Sequence, residues 1–385
     1  MGGEFVTLFL AGDVMLGRGI DQILPHPGDP RLVEAYVTDA RIYVELAEGA
    51  NGAIPRRAAF SWPWGEALDL LDAAAPDARI VNLETSVTRS DDAWPDKGVH
   101  YRMHPANLPC LAAARLDVCV LANNHVLDYG RRGLAETLDS LAGAGLRTAG
   151  AGRDLHKARR PAVLPLPGGG RLLVFSLGMA SSGIPHTWAA TADRSGIDFL
   201  FEASDAAAAE VAGRVRRAKR PGDLAVVSIH WGSNWGHTVP RDQIRFAHAL
   251  VDGGTDLVHG HSSHHPRPLE VYRGHPVFYG CGDLIDDYEG IGGYERYRDD
   301  LRLLFLVALE PDTGRLDHAR LVPLQAHRMR LRHASREDCD WLRGVLARTS
   351  REFGTRITLD PEGALIVHPG PSAGGSPVTG RTAAG

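Results

Sequence analysis

The sequence predicts a layered α/β fold built on mixed sheets. Apolar runs of strand length alternate with longer amphipathic stretches along most of the chain. Several runs, such as Asp117-Val-Cys-Val-Leu121, are apolar without alternation, the pattern of strands covered on both faces. Three consecutive glycines, Gly168 to Gly170, mark a hairpin-like turn before Arg171 and bring in an antiparallel component. Strands are expected at Val6 to Gly12, Arg79 to Asn82, Asp117 to Leu121, Leu146 to Ala149, Arg171 to Leu177, Leu224 to Ile229, Asp256 to His259, Pro276 to Tyr279 and Leu301 to Leu309. Helices are expected at Arg31 to Glu48, Gly65 to Ala74, Ala106 to Ala114, Arg131 to Ala144, Ala203 to Lys219, Arg241 to Asp252 and Ser335 to Ser350. No internal repeat is visible.

The chain has 385 residues, 44% hydrophobic and 23% charged, enough for one large domain over residues 1–368 with loop insertions. That composition excludes a disordered chain and a disulfide scaffold. With 42 Lys and Arg against 47 Asp and Glu, the formal charge is -5, so nucleic acid and anionic membrane are not expected partners. Cys110, Cys119, Cys281 and Cys339 lie far apart with no C-x-x-C spacing, and read as reduced fillers. The chain enters a strand at Phe5 without the features of a signal peptide, and no apolar run approaches bilayer length, so a cytoplasmic location is expected. Pro369 to Gly385 is rich in Gly, Ser, Thr, Ala and Pro and is predicted to be a flexible tail. Two loop-rich inserts, His26 to Pro30 and Ser90 to His104, are long enough to wall a pocket.

The informative polar residues, several of them among 18 histidines, fall at the ends of strands. Asp13 ends the first strand and Glu84 follows the second. Asn123, Asn124 and His125 follow the third, and His230 closes Ala225-Val-Val-Ser-Ile-His230. His259, His261, His264 and His265 follow another. Each residue alone has an ordinary reading as a turn, cap or core residue. In α/β sheets, however, ligands bind outside the carboxyl ends of strands, so five such ends with the same chemistry point to one site. Carboxylate, amide and imidazole without thiolate form a hard-to-borderline donor set suited to Mn, Fe, Zn, Mg or Ca.

Other signals are weaker. Gly12 to Gly19 imitates the spacing of a phosphate-binding loop but lacks its Lys and Ser/Thr, so a tight turn is the reading kept. Asp283 either supports a ligand histidine or caps a turn. Trp231 and Trp235 flank His230 as core residues or pocket walls, and Trp62 with Trp64 reads as a packed corner. The absence of a Gly-x-Ser-x-Gly elbow, or of a cysteine near a base, argues against covalent Ser or Cys catalysis.

The ordered motifs GDVMLGR, NLE, NNH-x-x-D-x-G, HWG, GHSSHHP and YGCGD resemble those of the capsule-synthesis CapA-like proteins, a branch of the calcineurin-like metallophosphatase superfamily. The resemblance spans Phe5 to Leu324 and implies a four-layer α-β-β-α sandwich with a metal centre at the strand ends. It implies Asp13, Glu84, Asn124, His230, His261 and His264 as ligands, with Glu84 in the bridging position and His125 beside the metal as an acid. The usual Asp-x-His has become Asp13-Val-Met15, so one expected ligand is missing and either one or two ions fit. The resemblance also extends to a soluble branch that includes a peptide epimerase of lasso-peptide biosynthesis.

The expected function is therefore a metal-dependent enzyme acting on a peptide or small molecule, with epimerisation favoured. In that reaction the ion stabilises an enolate while two bases, drawn from His125, His264 and His265, remove and return a Cα proton, with Asp13 at the same centre. A hydrolase of a phosphoester or amide uses the same ligands, with His125 or His264 as the acid. A non-catalytic capsule or poly-γ-glutamate binding protein is the third reading.

Overall fold

The computed structural model describes residues 5–370, so all but the first two residues of the expected tail lie outside the described residues. One sheet of ten strands runs in the order Arg356–Leu359, Leu365–His368, Leu316–Ala326, Leu301–Leu309, Val6–Val14, Ala78–Leu83, Val118–Val120 and Arg147–Ala149, with Asp283–Ile285 and Leu331–His333 paired at its side. A second, of seven strands, runs Phe199–Leu200, Arg171–Met179, Leu224–His230, Leu257–His261, His275–Phe278 and Leu269–Tyr272, with Ala162–Pro165 against Arg171–Met179. Both sheets are mixed. Val6–Val14 is parallel to Ala78–Leu83 and antiparallel to Leu301–Leu309, while Ala162–Pro165 and Arg171–Met179 form the antiparallel hairpin around the glycine turn.

Period-two alternation makes each central strand apolar on both faces and so separates the molecule into layers. Leu8, Leu10, Ile80 and Val118 of the first sheet pack with Leu172, Val174, Val226 and Leu257 of the second, forming a core between the sheets. The opposite face of the first sheet, Phe9, Ala11, Val81 and Cys119, packs on Ile20, Val44, Leu71 and Leu134 from helices. The outer face of the second, Leu173, Phe175, Val227 and Val258, packs on Val211 and Val215 of helix Asp205–Ala218 and on Phe246 and Leu250 of helix Arg241–Asp252. The architecture is the four-layer α-β-β-α sandwich.

The inner faces change character along the chain. Ala78 and Ile80 lead to Asn82, Leu224 and Val226 to Ser228 and His230, and Leu257 to His259 and His261, so each inward column turns polar at its carboxyl end. Val6–Val14 reaches the same face by a different device. Ala11 pairs with Val81 and Asp13 with Asn82, leaving Gly12 as the extra residue of a β-bulge. The bulge resets the alternation, so Asp13 follows Leu10 onto the inner face. Only glycine fits there, because a Cβ on residue 12 would lie 1.8 Å from the Gly282 carbonyl oxygen.

Two expected helices differ, and one long strand was not expected. The helix expected at Arg31 to Glu48 begins only at Arg41 and runs Arg41–Asn51. Residues 31–40 fold back on themselves, with a bridge between Arg31 and Asp39, while Asp39 accepts the Arg41 N–H at 2.9 Å. The stretch Ala106 to Ala114 divides into Pro105–Asn107 and Pro109–Ala113, because Pro109 has no N–H to continue one helix. The strand Leu316–Ala326, unforeseen in the sequence, forms a long antiparallel pair with Leu301–Leu309. The four cysteines are free and buried, as the reading of fillers requires. No helix among the described residues is long and apolar enough to cross a membrane.

Gly12→Ala is expected to lower stability by about 3 kcal/mol, through overpacking against a backbone that cannot retreat. The check is the urea midpoint at unchanged m-value, and a midpoint equal to that of the parent would contradict the bulge account.

Candidate metal centre

The polar ends of the inner columns meet in one buried group. Asp13, Asn82, Glu84, His230, His261, His264 and Asp283 are all buried. The Asn82 amide donates to Asp13 Oδ1 at 2.7 Å and to Glu84 Oε2 at 3.0 Å. A chain of backbone anchors fixes that amide. The His125 N–H donates to Asn123 Oδ1, and Asn123 Nδ2 donates to the Leu83 carbonyl and to Asn82 Oδ1, which leaves Asn82 Nδ2 aimed at the two carboxylates.

Around this base two donor groups form. Asp13, His230 and His261 make one, and Asp13, His264 and Asp283 the other; within each, the donor atoms lie within 4.8 Å of one another. Asp13 belongs to both. Glu84, which the resemblance puts in the bridging position, instead sits beside the first group, 3.7 Å from His230 Nε2 and 3.8 Å from His125 Nε2. Asn124 Oδ1 lies 2.8 Å from His230 Nε2. His230 Nδ1 and His261 Nδ1 approach to 2.7 Å. Met15, which stands where the resemblance lacks a histidine, has its sulfur 3.8 Å from the Tyr288 hydroxyl, and the Tyr288 ring stands edge-on to His264.

The donor set fits a divalent cation. Burial, and then the neighbouring Asp283, push Asp13 up to about 7, and burial with Asp13 pushes Glu84 well above the usual carboxylate range. Burial holds His230 and His261 well below the ordinary histidine value, so both keep a lone pair near neutral pH. Asp283 Oδ2 is buried without a hydrogen-bond partner. Crowded carboxylates, neutral imidazoles and an orphaned oxygen together are what a cation satisfies, and oxygen and imidazole donors suit the metals that the sequence suggested. Cys281 stays outside the set as a thiol, since burial and Asp13 raise it well above its normal value.

Two further imidazoles are each oriented by a carboxylate. His125 Nδ1 lies 2.6 Å from Asp128 Oδ2 and 3.0 Å from Lys97 Nζ; the shorter contact, to a carboxylate oxygen that only accepts, takes the Nδ1 proton, and Nε2 faces Glu84. Asp128 also accepts from Lys97 Nζ and from the Tyr101 N–H, while Lys97 donates to the Val99 carbonyl. Burial and the nearby Lys97 ammonium lower His125. His264 Nδ1 is 3.1 Å from Asp283 Oδ1, and its Nε2 is 2.9 Å from the Asn234 amide. Burial alone would lower His264, but Asp283 and then Asp13 outweigh it and raise the value.

His265, expected among the acid-base candidates, is directed elsewhere. Its Nε2 accepts the Gly236 N–H, its Nδ1 donates to the Pro266 carbonyl, and its ring stacks near Trp235 and Tyr297. Both ring nitrogens are therefore engaged with backbone. Trp231 is core, packed on Phe246 and Tyr279, whereas half-buried Trp235 stands edge-on to His264 and stacks on Tyr294 at 4.1 Å. Asn82, Asp128 and Lys97 were not singled out in the sequence. Asn82 and Asp128 lie inside quoted motifs, at inward strand and i+3 spacing, whereas Lys97 lies in a loop that carries no such signal.

A profile of the family described as "Bacterial capsule synthesis protein PGA_cap" matches residues 7–288, which contain every residue of this centre. The chain belongs to that family. It is 52% identical over 367 residues to the "Probable polyglutamine synthesis accessory protein Rv0574c" of Mycobacterium tuberculosis, covering 95% of this chain and 97% of that one. It is 28% identical to the "PGA biosynthesis protein CapA" of Bacillus subtilis, over 84% of this chain and 72% of the relative. A crystal structure of the protein TT1561 from Thermus thermophilus overlays 81% of this chain and 97% of that one at 12% identity, with a TM-score of 0.36.

Stripped of divalent ions, the protein is expected to lose thermal stability as pH rises from about 4 to about 7. The sign follows from Asp13, whose folded value of about 7 exceeds its ordinary 3.8, so the folded state holds the proton more tightly and is penalised as that proton leaves. Added Mn2+ should flatten this slope in melting scans; an identical slope with and without the ion would count against metal binding.

Proposed function

We propose that this member of the capsule synthesis family is a divalent-metal enzyme that acts on a polyamide chain during polymer synthesis. Support for the substrate class comes from the names of its relatives, and support for chemistry from the site. Asp13, Glu84, Asn124, His230 and His261 are the residues proposed to hold the ion. A divalent ion at such a centre polarises a carbonyl oxygen and acidifies what is attached to it.

The reaction proposed is inversion at a Cα next to an amide carbonyl. The observation that carries it is the pair of carboxylate-oriented imidazoles, His125 with Asp128 and His264 with Asp283, beside one donor group. Inversion needs two proton carriers, one to take the Cα proton and one to return it from the other face. His125 Nε2, with the proton fixed on Nδ1, has the lone pair for the first task. His264, whose value Asp283 and then Asp13 raise against the effect of burial, is the proton donor proposed for the second. Lys97 and Tyr101 keep Asp128 in place and so orient His125.

A second reading, cleavage of an amide or phosphoester, is favoured by one observation. His264 also belongs to the donor group with Asp13 and Asp283, and as a ligand it leaves His125 as the single oriented imidazole, which is all that a hydrolase requires.

Incubation with glutamyl and glutaminyl oligomers in deuterated water, read by mass spectrometry and chiral amino-acid analysis, separates the readings. Deuterium at Cα without cleavage is expected. Cleavage without Cα deuterium establishes the second reading, and binding with neither sinks both. His125→Gln should retain its metal and lose turnover on the order of 10²–10⁴-fold; undiminished turnover would remove His125 from the chemistry.

A further inference from the structure

We propose that His259 and Ser228 form a one-way hydrogen-bond relay that presents the Nδ1 lone pair of His261 to the metal centre. The inference rests on the reading of His261 as a ligand and adds two positioning residues to it. All three side chains are fully buried on the inner face between the sheets. Ser228 and His259 are register partners on adjacent parallel strands, and His230 and His261 are the next inward pair.

The direction of the relay follows from its terminus. His259 Nε2 lies 3.0 Å from the Ala11 carbonyl oxygen, which can only accept, so Nε2 carries the proton. With the ring proton on Nε2, His259 presents its Nδ1 lone pair 3.1 Å from Ser228 Oγ, so the hydroxyl donates to it. With its proton committed there, Ser228 Oγ accepts from His261 Nε2 at 2.8 Å. His261 is therefore the Nε2–H tautomer, and its Nδ1 faces Asp13 Oδ1 at 3.8 Å and His230 Nδ1 at 2.7 Å. Without a cation between the two Nδ1 atoms, His230 Nδ1 donates to His261 Nδ1, with the Asn124 side-chain amide turned to donate to His230 Nε2. The reverse direction fails at one point, because it sets the lone pair of His259 Nε2 against the carbonyl oxygen of Ala11.

The arrangement also explains why an imidazole lies among apolar side chains at residue 259. An unbonded polar group in that layer costs free energy, whereas here both ring nitrogens are satisfied. The anchoring carbonyl belongs to the residue just before the Gly12 bulge, so the backbone that turns Asp13 inward also sets the tautomer of the histidine opposite it. Metal-ligating histidines characteristically engage their second nitrogen in this way, which fixes ring orientation.

The direct test is two-bond proton–nitrogen correlation spectroscopy on the full-length, histidine-labelled, metal-free chain. His261 is expected as the Nε2–H tautomer, and an Nδ1–H tautomer would overturn the relay. Co2+ titration supplies the second readout. Ser228→Ala and His259→Leu are expected to weaken Co2+ binding on the order of 10–100-fold, with His259→Gln, whose amide both donates and accepts, retaining most of it. Melting scans establish that each variant is folded. Unchanged Co2+ affinity in folded Ser228→Ala would refute the relay, whereas a parent that binds no Co2+ would refute the metal reading and leave the relay to the spectroscopic result.

Discussion

Asp13, Glu84 and Asp283 are three carboxylates held out of water around a shared centre, and the remainder of the structure is organised by that constraint. Like charges in a dry site repel, and burial removes the solvent that would screen them. The protein answers with one amide, Asn82, that donates to two of the three, with His264 and Arg302 as neighbouring positive groups that hold Asp283 low, and with imidazoles kept neutral. None of these satisfies the group completely, as the orphaned Asp283 Oδ2 shows. A divalent cation would complete the balance.

The fold makes such a centre possible by bringing two parallel edges together. Leu8, Leu10, Val226 and Leu257 fill the space between the sheets, and the inward columns turn polar only at their carboxyl ends. Covering helices on each outer face keep both sheets dry, so the donors inherit a rigid, water-poor setting. A packed frame of this kind serves chemistry because ligands and proton carriers keep their geometry when charge changes. The capsule synthesis family model covers this frame through Tyr288, while the strands from Leu301 onward extend the first sheet beyond it.

Much of this was legible in the sequence where periodicity and motif coincide. Asp13, Glu84, Asn124, His230, His261 and His264 could be placed at strand ends because apolar strands announce where they stop. Polar residues in alternation, such as Ser228 with His230 and His259 with His261, could have been read as inward-facing as well. Other features depend on contacts distant in the chain. The bulge at Gly12 is defined by the Gly282 carbonyl, the orientation of His125 by a lysine in a loop, and the dismissal of His265 by a backbone N–H at Gly236. The helix expected from Arg31 was cut short in the same way. Glu34 is drawn to the buried Arg18 guanidinium and Tyr43, a tertiary demand that local amphipathicity does not reveal.

Anomalous diffraction from crystals of the full chain grown with Mn2+, recorded on both sides of the manganese absorption edge, tests the central claim most directly. The account predicts a peak bonded to Asp13, His230 and His261 through Nδ1 of His261. A map with no anomalous peak at these residues, their side chains bonded only to water and to one another, would contradict it.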